Sequence, residues 1–208
     1  MMSNDKPILG ILLGDSSGVG PELVAKLAIH KFYEAYCFPV IIGDFRIFKE
    51  GMKIAGGQVP CYAIEDVSQA DWEKGIPVLD SKDQDPQKIE KRKATEYCGK
   101  AVLNALTKAV ELYKKGQIEG FAFAPFNKTS LKLGGCLFES EHHYLADLFH
   151  WTEPFGEINV VKDMWTTRTT SHIPIKDVSE NLTVDRIVKA ARLCHSTLCK
   201  AGIKNPRI

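Results

Sequence analysis

The stretch Ile8-Leu9-Gly10-Ile11-Leu12-Leu13, followed by Gly14-Asp15-Ser16-Ser17-Gly18-Val19-Gly20 and then Pro21-Glu22-Leu23, decides the fold class. Its first six residues are an apolar run bounded by Pro7 and Gly14, the pattern of a strand buried on both faces. Pro21 suits the first position of a helix, where its missing N–H would have no partner anyway, and Glu22 favours the positive end of the helix dipole. Leu23 and Leu27 continue the helical period. A strand, a glycine loop and a helix in that order form the first unit of an α/β fold. Asp15 then sits at the carboxyl end of the strand, where such folds place their ligands. The loop offers backbone amides to an anion. Its glycines at 14, 18 and 20 match neither the dinucleotide fingerprint nor a phosphate loop with Gly-Lys-Ser/Thr, and a tight structural turn is the other reading.

Working outward, residues 39–43 (Pro-Val-Ile-Ile-Gly) read as a second buried strand, and Asp44 caps a helix carrying Phe45, Phe48, Met52 and Ile54. Residues 61–64 and 76–79 are further short strands. Residues 82–87 read as an exposed loop, and the charge run 88–93 as a solvated face. From Ala94 a long amphipathic helix is expected, with Cys98, Val102, Ala105, Ala109 and Leu112 at helical spacing and a stop near Gly116. Residues 121–124 form a strand whose carboxyl end delivers Asn127, Lys128 and Thr129, either to a ligand or to solvent. Residues 131–135 read as a turn. Residues 158–164 and 165–170 could pair as strands, and Thr183 caps a last helix with Ile187, Ala191, Cys194 and Leu198 on its inner face. Strands alternating with helices predict a mainly parallel sheet.

The chain has 208 residues, 44% hydrophobic and 25% charged, with a formal net charge of +1. That balance gives no reason to expect nucleic acid or a lipid surface as a partner. No apolar run approaches the roughly 18 residues that span a bilayer. The segment before Pro7 lacks the basic leader and cleavage site of a signal peptide. Six cysteines without a CxxC pair read as reduced packing residues of a cytoplasmic protein.

Three of the six histidines, His142, His143 and His172, lie in one stretch. Adjacent histidines cannot share one face of a helix or strand, so His142 and His143 serve different partners. His172 precedes Ile173-Pro174, and the proline biases the backbone before it toward an extended form. A histidine there can offer a ring nitrogen to a metal or substrate, although spacing alone leaves ordinary partners open for all three.

Four blocks stand in order: Gly14-Asp15-Ser16-Ser17-Gly18-Val19-Gly20-Pro21-Glu22, Ala124-Pro125-Phe126-Asn127-Lys128, the His142-His143 segment, and Thr170-Ser171-His172-Ile173-Pro174-Ile175-Lys176-Asp177-Val178. Together they resemble the 4-hydroxythreonine-4-phosphate dehydrogenase family of vitamin B6 synthesis and its broader relatives. The first block is similar to the family's GDPxGxGPE, with Ser16-Ser17 in place of Pro-Ala. The last is similar to its TTHxPLxDV segment. The resemblance implies a three-layer α/β/α fold like that of isocitrate and isopropylmalate dehydrogenases, with a first domain over 1–125 and a second over 126–208. It also implies a homodimer and a cleft holding a divalent metal (Zn, Mg or Co). NAD or NADP would take hydride from a secondary alcohol of a small, phosphorylated hydroxy acid, and decarboxylation would follow. In that frame His172 is a metal ligand, His142 and His143 meet substrate, and Asp15 and Lys128 are the catalytic pair, with the cofactor-binding residues unassigned.

Glu141-His142-His143-Tyr144 departs from the family's Gly-His-Thr-Glu, which leaves the substrate open. A sugar-acid phosphate or a cyclic dihydrodiol carboxylate is the alternative with the same chemistry. The family's remaining metal histidines fall beyond Ile208, so the fold is expected to be truncated at its C-terminus. A noncatalytic remnant that binds metal or a partner subunit is the alternative from another class.

Overall fold

A computed structural model describes residues 6–171 and 173–208. The chain forms two compact units, Met1–Phe149 and His150–Ile208.

The first unit is built on a five-stranded sheet of β1 (Ile8–Leu12), β2 (Phe38–Gly43), β3 (Cys61–Ile64), β4 (Ile76–Asp80) and β5 (Gly120–Phe123), in the order β3-β4-β2-β1-β5. All four pairings are parallel. Register brings Leu12 beside Ile42 on one side and Phe123 on the other. Successive side chains of a strand point to opposite faces, and the apolar runs use both. Ile11, Leu13, Ile41 and Val78 pack with Val24, Phe48 and Met52 from α1 (Gly20–Ile29) and α2 (Phe45–Ala55). Leu12, Val40, Ile42 and Leu79 pack on the other face with Val102, Leu106 and Leu131 from α3 (Glu96–Lys114) and α4 (Lys128–Leu133). Tyr144 and Leu145 of α5 (Glu141–Phe149) join that second layer. The result is helices, sheet, helices, the three-layer α/β/α arrangement expected from the sequence.

Helix starts follow their side chains. Asp44 caps α2 by accepting from the Arg46 amide, and Thr95 caps α3 by accepting from the Cys98 amide. Pro21 lies in the first turn of α1, where it interrupts no helical bond. All six cysteines are free, and four of them are buried.

The second unit holds a hairpin of β6 (Asn159–Val161) and β7 (Met164–Thr166), the short α6 (Val178–Asn181) and α7 (Val184–Lys200). The hairpin strands are shorter than the 158–164 and 165–170 expected. Lys162 takes a left-handed φ of 54°, which ends β6 early and turns the chain. Thr183 caps α7 through the Arg186 amide, and Cys194 and Leu198 are its buried residues. Among the described residues, no helix is long and apolar enough to cross a membrane.

Two local expectations need correction and a third needs a qualification. Residues 131–135 are not simply a turn, because α4 runs to Leu133 and buries Leu131. The loop 82–87 is not wholly exposed, because Gln84 is buried at 5%. The charge run 88–93 is solvated as expected, yet Lys91 and Arg92 reach back to the Gly14–Gly20 loop, as described next.

Candidate functional site

The chain leaves β1 toward one face of the sheet and leaves neighbouring β5 toward the other. Adjacent strands whose connections part in this way form the switch point where open α/β sheets take ligands, outside the carboxyl ends. Asp15 follows β1 and Asn127-Lys128 follow β5, so the sheet brings the first two sequence blocks together at this edge.

The edge is unusually polar inside. Buried polar side chains among the described residues are Asp15, Ser16, Ser17, Asp44, Gln84 and Ser130, and all six lie here. The Asp15 carboxylate is fully engaged. Its Oδ1 accepts from the Ser17 amide and hydroxyl, each at 2.8 Å, and its Oδ2 accepts from the Ser130 hydroxyl at 2.8 Å. The Asp15 amide donates to the Pro125 carbonyl at 3.1 Å. Asp15 therefore ties the loop after β1 to both the turn after β5 and the first turns of α4. The approach is close: Gly14 has φ +70°, and a Cβ there would stand 2.6 Å from two carbonyl oxygens, Ala124 and Pro125.

A second network flanks it. Asp44 accepts from Arg46 through Oδ1 and Oδ2, and from the Gln84 amide at 2.9 Å. Burial alone would push the Asp44 carboxyl up. The Arg46 guanidinium and the amides of Gln84 and Arg46 outweigh that and hold it below the ordinary carboxylate range. Gln84 Nε2 donates to Ser16 Oγ at 2.8 Å, and Ser16 Oγ donates to the Cys98 sulfur at 3.3 Å. Lys91 Nζ and the Arg92 amide donate to the Ser16 and Ser17 carbonyls at 3.1 and 2.8 Å.

These bonds bear on the two readings of the glycine loop. The amides of Asp15 and Ser17 are used within the network, and that of Gly18 donates to the Asp15 carbonyl. Three of the seven amides of residues 14–20 are thus used inside the protein, as in a tight structural turn.

Asn127 caps α4, accepting from the Thr129 and Ser130 amides at 2.8 and 3.3 Å. Lys128, on the first turn, is exposed, and its Nζ lies 3.9 Å from Glu141 Oε2 at the start of α5. His142 follows, half-buried, and His143 is exposed with Nδ1 2.8 Å from Ser140 Oγ. Tyr144 hydrogen-bonds Thr107 at 2.8 Å, which fixes α5 to α3.

The family model described as pyridoxal phosphate biosynthetic protein PdxA matches residues 35–208. The chain belongs to this family. A Pasteurella multocida relative with the provisional name 4-hydroxythreonine-4-phosphate dehydrogenase is 36% identical over 98% of this chain and 61% of its own length. A Clostridium botulinum relative provisionally named D-threonate 4-phosphate dehydrogenase is 30% identical over 100% of this chain and 62% of its own. The crystal structure of a 4-hydroxythreonine-4-phosphate dehydrogenase from Burkholderia phymatum superposes with a TM-score of 0.85 at 31% identity, over 98% of this chain and 62% of that one. The chain thus spans about three fifths of the length of the relatives it matches.

Set against the PdxA family pattern, Ser16-Ser17 in place of Pro-Ala is the substitution that carries the most structure. Both serines are buried, one bonded to Gln84 and Cys98, the other to Asp15. His172, the metal-ligand expectation, lies outside the described residues. Gln84 and Ser130 had no motif to announce them. The available signal for Ser130 was Asn127 three positions earlier, a helix N-cap pattern that points the intervening residues into the first turn.

Proposed function

We propose that this PdxA-family chain belongs to an NAD- or NADP-dependent oxidoreductase that oxidises the secondary alcohol of a small phosphorylated hydroxy acid and then releases carbon dioxide, with a divalent metal in the site. The observation that carries the reading is the meeting of the Asp15 loop and the Asn127-Lys128 turn at the carboxyl ends of adjacent parallel strands. The names of the relatives support a phosphorylated hydroxy acid as substrate.

The buried carboxylates of this edge do not suit a metal. All four oxygens of Asp15 and Asp44 already accept protein hydrogen bonds. His172 is the ligand the family resemblance offers, and one imidazole falls short of the roughly three protein ligands of a working site. The others would come from a second subunit or from further polypeptide. The glycine loop does not match the dinucleotide fingerprint, and its Asp15, Ser17 and Gly18 amides are engaged within the protein. When bound, a nicotinamide would supply a hydride acceptor and a divalent ion a Lewis acid.

The roles of the chain's own residues follow from their surroundings. Asp15 acts by position: with both oxygens occupied it holds the turn after β5 and the head of α4 against the loop after β1, and so sets Lys128. The exposed Lys128 ammonium holds the substrate carboxylate. His142 and His143 contact substrate from α5. We further propose a homodimer. Val160, Val161 and Met164 of the hairpin are 52 to 61% exposed, and a two-stranded ribbon with such a surface gains stability by being covered.

The test is NADH or NADPH formation by the longest polypeptide containing this chain, over a panel of phosphorylated and unphosphorylated hydroxy acids, with and without chelator. Turnover confined to phosphorylated hydroxy acids and lost on chelation supports the reading. No turnover with any of them refutes it. Light scattering of the same polypeptide should give twice the monomer mass.

A further inference from the structure

A cavity of about 360 Å³ opens where β2 and β4 begin, at the opposite end of the sheet from Asp15. Phe38 and Ile76, the first residues of those strands, line it. Its volume falls in the range of about 300–1,000 Å³ that holds small molecules. The walls are held in place. Trp72 Nε1 donates to the Pro39 carbonyl at 2.9 Å, and the Trp72 ring stands 4.9 Å from that of Phe38, inclined at 45°. Pro60 and Gly75 are fixed against each other. The Ile76 amide donates to the Pro60 carbonyl at 2.8 Å, and a Cβ on Gly75 (φ +135°) would collide with that carbonyl. Tyr33 adds a third aromatic side chain. Three lysines and two glutamates also line the cavity. Lys31 pairs with Glu34 at 2.8 Å and Lys74 with Asp71 at 2.9 Å, and such exposed pairs contribute little and give way readily. The Lys6 ammonium donates to the Glu34 backbone carbonyl, a neutral acceptor, and among the described residues no carboxylate pairs with it. Its charge is felt in the cavity: burial pushes the Cys37 thiol up, and Lys6 works against that push.

We propose that this cavity binds a small aromatic carboxylate, its ring against Trp72, Phe38 and Tyr33 and its carboxylate on Lys6. Rigid aromatic walls suit a flat ring, which meets them offset or edge-on and gives up little conformational freedom on binding. An aromatic cation would gain from the same ring faces. It would also meet three ammonium groups, while Glu34 is already held by Lys31. The unpaired charge of Lys6 therefore selects the anion. A carboxylate accepts from Lys6 with its charge, and such bonds are roughly twice as strong as neutral ones, so a neutral amide of the same shape should bind about tenfold more weakly. This site stands apart from Lys128 at the other end of the sheet, and it does not rest on the dehydrogenase reading above.

The experiment is an NMR titration of the longest polypeptide containing this chain, following the indole N–H signals, with that of Trp72 assigned through Trp72→Phe. The probes are 2-naphthoate, its neutral amide and the cationic 2-naphthylmethylamine. 2-Naphthoate should shift the Trp72 signal with a dissociation constant of about 1 mM or tighter, as expected for a ligand of its size. The amide should bind about tenfold more weakly, and the amine more weakly still. Lys6→Ala should lose most of the preference for acid over amide with its unfolding midpoint unchanged, since Lys6 precedes β1 and bonds one carbonyl. Val59→Trp, which fills the cavity from a half-buried position on its wall, should abolish the shift. No Trp72 shift with 2-naphthoate, or tighter binding of the amide or the amine, overturns the proposal. So does an acid-to-amide ratio unchanged in Lys6→Ala, or a shift that survives in a folded Val59→Trp. If either variant fails to fold, the acid-to-amide ratio of the wild type decides.

Discussion

Replacing Ser130 by Ala tests whether Asp15 acts as a structural latch. Ser130 is 0% exposed, and its hydroxyl donates to Asp15 Oδ2 at 2.8 Å, while Ser17 supplies Oδ1. The substitution removes one oxygen and leaves no donor for a carboxylate oxygen on a residue 2% exposed. Leaving a buried acceptor unpaired costs about 1–3 kcal/mol, with charged groups at the upper end or beyond, and the void left by one oxygen adds little. We expect a loss of about 2–3 kcal/mol, which for a chain of this length lowers the thermal midpoint by about 4–12 °C. Urea unfolding followed by circular dichroism gives the midpoint and slope, and an unchanged slope keeps the comparison one of stability. Combining Ser130→Ala with Asp15→Ala closes a double-mutant cycle, and the pair should be coupled by about 1 kcal/mol or more. A loss within 0.5 kcal/mol of zero for Ser130→Ala, together with no coupling, would refute the latch.

Other expectations follow from the same edge. Gly99→Ala should be severe, about 3 kcal/mol by urea unfolding, because a Cβ on Gly99 would stand 1.8 Å from the Ser130 carbonyl oxygen and force α3 and α4 apart. Asn127→Ala should cost about 1 kcal/mol in the same assay, since it strips the cap from α4, and should weaken substrate binding by letting Lys128 wander. Acid sensitivity follows from Asp44, whose folded value lies below its unfolded one. Its contribution is complete above the ordinary carboxylate value of about 3.9 and is lost as pH falls through the lowered folded value. Urea midpoints measured from pH 6 down to 2 should fall more steeply for the wild type than for Asp44→Asn, and equal slopes would remove Asp44 from the account.

The sheet was legible because its strands are buried on both faces. Ile8 to Leu12, Val40 to Ile42 and Val78-Leu79 cannot alternate apolar with polar when helices cover each side, so they stand out as short apolar runs bounded by Gly, Pro and Asp. Helix starts were legible at Asp44, Thr95 and Thr183 for an equally local reason: the cap uses its own side chain on an amide two or three residues later. Where the reading failed, tertiary partners had taken over from local pattern. Nothing near Gln84 in sequence marks it for burial. It is buried because Asp44, forty residues earlier, needs a donor, and Ser16, sixty-eight earlier, needs a neighbour.

The same distinction governs the site. The place of Asp15 just past a strand of the sheet was legible, but position says nothing about whether a carboxylate is free to react. Its three hydrogen bonds come from residues 2 and 115 positions away, and the second of these is visible only once β1 and β5 are neighbours. Lys128 is the reverse case. It is drawn from the same turn, yet its ammonium is exposed and out of hydrogen-bond reach of Glu141, so it remains available to a ligand. A residue whose polar atoms are already satisfied inside the protein fixes geometry, and one whose polar atoms are not is where binding energy can be gained. By that criterion Lys128 can still gain by meeting a ligand at this edge. Asp15, Asp44, Gln84 and Ser130 hold the backbone that presents it.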